Sequence, residues 1–151
     1  MKRINIILVV LLFFSLSSRA QTVDFNFIRS IVSQSDSLAL KELKSLGYTP
    51  TKDNDYRFIE DNKIKAFVTY VKANPDAGQE HTYWAFQARG KKAYNAIVKQ
   101  IKKDAVIKNG THFGKPRTEY KSPDGIYYYP FEDSMFKGLY WIYASKGSLL
   151  E

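Results

Sequence analysis

The chain has 151 residues, with 23 lysines and arginines against 15 acids, a formal net charge of +8 and no cysteine. The missing cysteines remove disulfides, thiol catalysis and thiolate metal sites together. The lysines are dispersed rather than massed in one block, which argues against a nucleic-acid partner. Hydrophobic residues at 44% and aromatic residues at 15% supply a core for one compact domain without covalent staples.

Residues 1–20 have the order of a secretory signal peptide. Lys2 and Arg3 form a basic start, Ile6 to Phe14 an unbroken apolar run, and Ser18 and Ala20 put small residues before a cut that leaves Gln21 first. The run is about half of the ~20 residues a spanning helix needs, so no stable membrane span is expected after cleavage. No cysteine follows it, so a lipid-anchored leader is not expected. Taking the 20 leader residues from 151 leaves 131 for a single α+β domain, 21–151, and losing Lys2, Arg3 and Arg19 lowers the charge from +8 to +5. The expected location is the periplasm or the medium.

Asp24 is placed to cap a first short helix, on which Phe25, Ile28 and Ile31/Val32 recur at helical spacing. The polar run Ser33–Ser37 competes for backbone hydrogen bonds, breaking that helix and offering a new cap. A second helix carries Ala39, Leu40, Leu43 and Leu46 and stops at Gly47, with Tyr48 folding back onto Leu43 and Pro50 blocking continuation. After a loop at 51–55 come a strand at Tyr56–Glu60, a turn at Asp61-Asn62 and a strand at Lys63–Lys72. The latter puts Ile64, Ala66, Val68 and Tyr70 on one face and Phe67 and Val71 on the other. Asn74–Gly78 is a turn, and a third strand spans His81–Ala88, with Tyr83 and Ala85 opposite Trp84 and Phe86.

Arg89-Gly90 ends that strand. Tyr94, Ile97, Val98 and Ile101 then form the apolar stripe of a third helix running to about Asp104, with Lys91, Lys92, Lys99, Lys102 and Lys103 on its solvated side. Lys108–Gly110 reads as a turn before Thr111–Gly114. Strands are expected near 117–121, 126–131 and 137–144, joined by the turn Ser122-Pro123-Asp124-Gly125. Pro130 lacks a donor for the ladder, which places its run at a sheet edge or strand end. Residues 146–151 read as a short tail. The fold class is α+β, an antiparallel sheet with helices packed on one face. Two related helix-plus-three-strand halves and one undivided sheet are both open.

This twice-repeated order of helix and antiparallel strands resembles small exported tandem modules such as the β-lactamase inhibitor protein family. The helix ending at Leu46-Gly47-Tyr48 also resembles those of small exported bacterial proteins of unassigned role. The resemblance covers most of the chain after the leader and rests on element order alone. It implies non-catalytic binding of another protein. No motif matches and that family uses disulfides, so no functional residue is carried across.

The search for chemistry starts from the only imidazoles, His81 and His112. Neither sits in a nucleophile context, and no Gly-x-Ser-x-Gly occurs. Glu80 and His81 are strand neighbours and point to opposite faces. Asp53-Asn54-Asp55 lacks the glycine and the twelfth-position glutamate of a calcium loop. The carboxylate pairs Glu60/Asp61 and Glu132/Asp133 fall at strand ends, where turn chemistry accounts for them. Gly110–Gly114 lacks the lysine and the length of a phosphate loop. Asn109-Gly110-Thr111 matches a glycosylation acceptor of use only on a eukaryotic route. No catalytic residue, metal site or cofactor is assigned.

Surface recognition remains. Tyr127, Tyr128 and Tyr129 are consecutive, as are Tyr140 and Trp141 ahead of Tyr143, and strand alternation cannot hide every ring on one face. Either both faces are covered, or Tyr127/Tyr129 or Tyr128 face outward. These six residues, with loops 74–80 and 122–125, form the candidate binding surface for another protein, with rim lysines favouring an acidic one. Two alternatives are a glycan or peptidoglycan module stacking sugars on the same rings, and a small envelope hydrolase using His81 or His112.

Overall fold

A computed structural model describes residues 22–77, 80–112 and 114–151. The expected leader lies outside them. Helix α1 (Phe25–Ser33) starts where Asp24 accepts the Phe27 N–H at 2.8 Å, and it buries Ile28, Ile31 and Val32. Helix α2 (Asp36–Ser45) buries Ala39 and Leu43. Its end is a full Schellman motif: the Tyr48 N–H reaches the Leu43 carbonyl and the Gly47 N–H the Lys44 carbonyl, both at 3.0 Å. Gly47 takes φ +86° there, a conformation costly for any residue with a Cβ. Helix α3 (Gly90–Ile101) buries Ile97 and Ile101 of the expected stripe.

Eight strands follow the order of the chain in two runs. These are β1 (Thr49–Pro50), β2 (Asp55–Glu60), β3 (Lys63–Val71), β4 (Tyr83–Ala88), β5 (Val106–His112), β6 (Lys115–Lys121), β7 (Tyr127–Glu132) and β8 (Tyr140–Ser145). All pairs are antiparallel, in the spatial order β1-β2-β3-β4-β8-β7-β6-β5. Each half is therefore a four-stranded meander, and the halves join where β4 meets β8. Asp61 and Asn62 both take positive φ (51° and 57°), the signature of a tight primed hairpin turn. Ser122–Gly125 closes as expected, with the Gly125 N–H on the Ser122 carbonyl at 3.0 Å and Arg29 paired to Asp124 at 2.6 Å.

Two expectations are corrected. Lys108–Gly110 is no turn but the middle of edge strand β5, paired residue for residue with β6; its polar composition reflects exposure, not a break in the chain. Pro130 lies inside β7, mid-sheet, opposite Ile142. It is tolerated because β6 and β7 pair only through Tyr120↔Tyr128 and Lys121↔Tyr127, so no β6 acceptor awaits the missing N–H.

The three helices cover one face. Beneath them Tyr56, Val68, Tyr70, Trp84, Phe86, Tyr128, Ile142 and Ala144 are buried with Ile28, Ile31 and Leu43. Each fully buried aliphatic side chain stabilises by about 1.5–3 kcal/mol. Phe27 lies at once parallel to Tyr48 and edge-on to Phe86, with centroids 5.8 and 6.0 Å away. The opposite face holds a smaller core of Tyr83, Ala85, Tyr129 and Leu149. Leu149 comes from the tail, which folds back over this face instead of trailing off.

Candidate functional site

Alternation decides which rings each face receives. Tyr128 and Tyr140 point under the helices and are buried; Tyr129 points to the far face and is buried too, at 1% exposure. Both faces are thus covered at the centre of β7. Tyr127, Trp141 and Tyr143 are half-buried on the far face. Of the six candidate residues, four share that face and three of those keep accessible surface. Of the two loops, Ser122–Gly125 is exposed at its Pro123-Asp124 tip. The 74–80 loop is described only in part, with a single 3-10 turn at Pro75–Ala77.

The tail explains why Tyr129 is hidden. Its hydroxyl donates to the buried carboxylate of Glu119 and accepts the Leu149 N–H at 2.5 Å. The Ser148 hydroxyl reaches the same Glu119 oxygen at 2.5 Å. His112 bonds the Leu149 carbonyl through Nδ1 at 3.0 Å and lies against Tyr83, Tyr129 and Tyr143. Burial lowers the His112 pKa; the Leu149 hydrogen bond pulls the other way, and the charge of Arg117 reinforces the lowering. Burial likewise pushes the Tyr129 hydroxyl up, and the Glu119 carboxylate adds to it. These contacts give His112 a structural place beneath the tail.

One rung toward the 133–139 end of the far face carries a different arrangement. Arg57 pairs with Phe67, Gln87 with Trp141 and Trp141 with Phe131. The β3–β4 register brings Phe67 beside Gln87. The Arg117 guanidinium sits 4.3 Å from the Phe131 centroid, and that of Arg57 5.7 Å from Phe67. Across six strands the rung reads Arg57, Phe67, Gln87, Trp141, Phe131, Arg117, and all six are half-exposed. Phe67 meets Trp141 edge-on at 74°, and Phe131 meets Tyr143 at 88°. Nε of Arg57 and Nε of Arg117 are both buried without a hydrogen-bond partner, while Arg117 Nη1 donates to the Pro116 carbonyl at 3.1 Å.

Sequence reasoning passed over Arg57, Phe67, Phe131 and Arg117. The one available signal was Phe67 on the face opposite Ala66, Val68 and Tyr70; nothing local tied it to Arg117, Phe131 and Trp141, fifty or more positions away. The loosened β6–β7 ladder beside Pro130 adjoins a cleft of about 200 Å3 lined by His112, Lys115, Arg117, Phe131, Asp133 and Tyr143. Asp133 is held to its own loop by the Met135 and Phe136 N–H groups at 2.8 and 3.1 Å. Those bonds lower its carboxyl pKa. Glu132 accepts the Gly138 N–H at 3.1 Å, so turn chemistry does account for this carboxylate pair. At the same end of the sheet Ile59 and Ile64 face one another, and Met135 and Phe136 project from the β7–β8 loop, all more than half exposed.

A larger groove, about 670 Å3, lies between residues 22–26 and α3, with Val23, Phe25 and Ile97 of the helix-side core in its wall. Among the described residues no group of three or more metal ligands occurs, and no helix is long and apolar enough to cross a membrane. Comparison with known proteins adds nothing to this geometry, since no protein-family model, curated protein or solved structure matches the chain.

Proposed function

We propose that the chain is an exported, non-catalytic protein-binding domain, acting in an inhibitor-like or immunity-like mode in the periplasm or the medium. Export rests on the leader-like order of residues 2–20. One observation carries the binding reading: a half-exposed aromatic rung, Phe67, Trp141 and Phe131, crosses the face the helices leave free and runs toward the exposed apolar tips Ile59/Ile64 and Met135/Phe136. Aromatic rings with arginine at their edges supply the anchors of protein interfaces. Rim lysines such as Lys115 add steering for an acidic partner. A glycan module is less well supported, because sugars stack on open ring faces. Here guanidinium groups lie over Phe67 and Phe131, and neighbouring rings meet edge-on.

The test is affinity capture with residues 21–151 from envelope extract and culture fluid, run beside a Trp141→Ala variant. The expected result is one protein at stoichiometric level with the parent sequence and its loss with the variant, at a thermal midpoint within a few degrees of the parent. Capture that ignores Trp141 refutes the rung as the docking site. Recovery of cell-wall fragments alone turns the reading to a glycan.

A further inference from the structure

We infer that the rung is a two-ended carboxylate reader, Arg57 and Arg117 each gripping one acidic side chain of an extended partner segment that lays apolar side chains on the rings between them. The inference rests on the protein-binding reading and adds the chemistry of the partner. Each half of the sheet contributes one arginine laid on one phenylalanine, Arg57 on Phe67 and Arg117 on Phe131, so the rung reads nearly the same from either end. In both pairs the Nε–H is buried and unpartnered. A buried donor left unmet costs about 1–3 kcal/mol. Two such costs at the two ends of one aromatic row mark places prepared for an acceptor that arrives from outside.

A side-on carboxylate takes Nε and one Nη together, so docking satisfies the unmet donor after a small rotation of the guanidinium. The ring beneath holds the guanidinium flat and reduces the ordering it must undergo. Arg57 stands on β2 and Arg117 on β6, five strand steps apart in the sheet. At ~4.8 Å per step their backbones are roughly 24 Å apart, the reach of about seven residues of extended chain at ~3.3 Å each. An apolar centre between two widely spaced cations fits such a segment. Nucleic acid instead brings a charge every few ångströms, and a bilayer surface has no fixed two-point spacing.

The experiment uses residues 21–151 labelled with 15N and a synthetic probe, acetyl-Glu-Thr-Val-Thr-Val-Thr-Glu-amide. Its two carboxylates lie on the same side of an extended chain, roughly 20 Å apart. Because both Nε atoms are shielded, their Nε–H resonances should be visible at neutral pH. The expected result is that both move saturably with one dissociation constant. Replacing either terminal glutamate of the probe by glutamine weakens binding about tenfold, and so does Arg57→Lys or Arg117→Lys, which keeps the charge and loses the fork. Equal affinity for the glutamine probes, or silent Nε–H resonances while Trp141 fluorescence responds, overturns the two-ended reader and leaves protein binding standing. Movement of both resonances with phosphatidylglycerol vesicles or a DNA oligonucleotide, but not with the probe, also overturns it. Silence of Trp141 and both arginines, joined to capture that ignores Trp141, removes the underlying reading as well.

Discussion

The tail latch offers the sharpest test of how the far face is built. Changing Tyr129→Phe removes one oxygen and keeps the ring. The Leu149 N–H loses its acceptor, in a residue 2% exposed, and Glu119 loses one of its two hydroxyl donors. A buried unsatisfied N–H costs about 1–3 kcal/mol, and a lost hydrogen bond to a charged group about 1.5–3 kcal/mol. Part of the cost is relieved if the tail loosens and water enters, so about 3 kcal/mol is the expected destabilisation. Unfolding entropy of ~2.1 cal/mol/K per residue over roughly 130 residues gives ~0.27 kcal/mol/K, so the midpoint should fall by about 11 °C. Thermal unfolding followed by circular dichroism measures it, with hydrogen exchange at Leu149 as the local readout. A shift under about 2 °C with the Leu149 amide still protected would refute the claim that this hydroxyl fastens the tail.

Two other outcomes follow from the same geometry. His112 has a lowered pKa in the folded protein, first through burial, so the unfolded chain binds the proton more readily. Stability should be full above the ordinary value of 6.5 and decline as pH falls from there through the lowered one, and His112→Gln should flatten that slope in denaturant titrations at pH 7.5 and 5; an unchanged slope assigns it to other groups. Gly47→Ala should cost about 1–2 kcal/mol, since φ is +86° and the new Cβ would lie 3.3 Å from the Phe58 ring; a denaturant midpoint equal to the parent's would contradict the cap argument.

Local rules read most of this fold because most of its elements are fixed by local physics. Asp24, Gly47, Asp61-Asn62 and Ser122–Gly125 each do what their side chains or φ requirements dictate within four residues. The stripe on α3 needs only a 3.6-residue period. Reading fails where the decisive partner is remote. Strand β5 has exposed Val106 and Ile107 and polar residues after them, so it lacks the alternation that marks a half-buried strand; only β6 makes it one. The last residues look like a tail until Tyr129 and Glu119, each far back in the chain, supply the acceptors that bind them. The three consecutive tyrosines pose the same difficulty: alternation says that they divide between faces, but not that both faces are covered at that point.

The same remoteness explains why the candidate surface shifted by one rung. The tail carries Leu149 onto the far face at Tyr83, Ala85 and Tyr129, so those rings are spent on stability. Moving along β8 from Tyr143 to Trp141 reaches the margin of that small core, against which Trp141 still packs, and there the rings are half-exposed and bordered by arginines. Pro130 lies at the same height, beyond the last β6–β7 pair; there Arg117, still paired on its other side with Gly110 of β5, lays its guanidinium on Phe131. A proline that looked like an edge marker thus sits where one arm of the rung is set. The latch and the rung are separable on this account. Tyr129→Phe should lower the thermal midpoint yet leave probe affinity within about twofold under conditions where the variant is folded, because it keeps the ring and so the packing through His112 and Tyr143 that joins the latch to Phe131. Loss of probe binding in folded Tyr129→Phe would show instead that the tail holds the rung in shape.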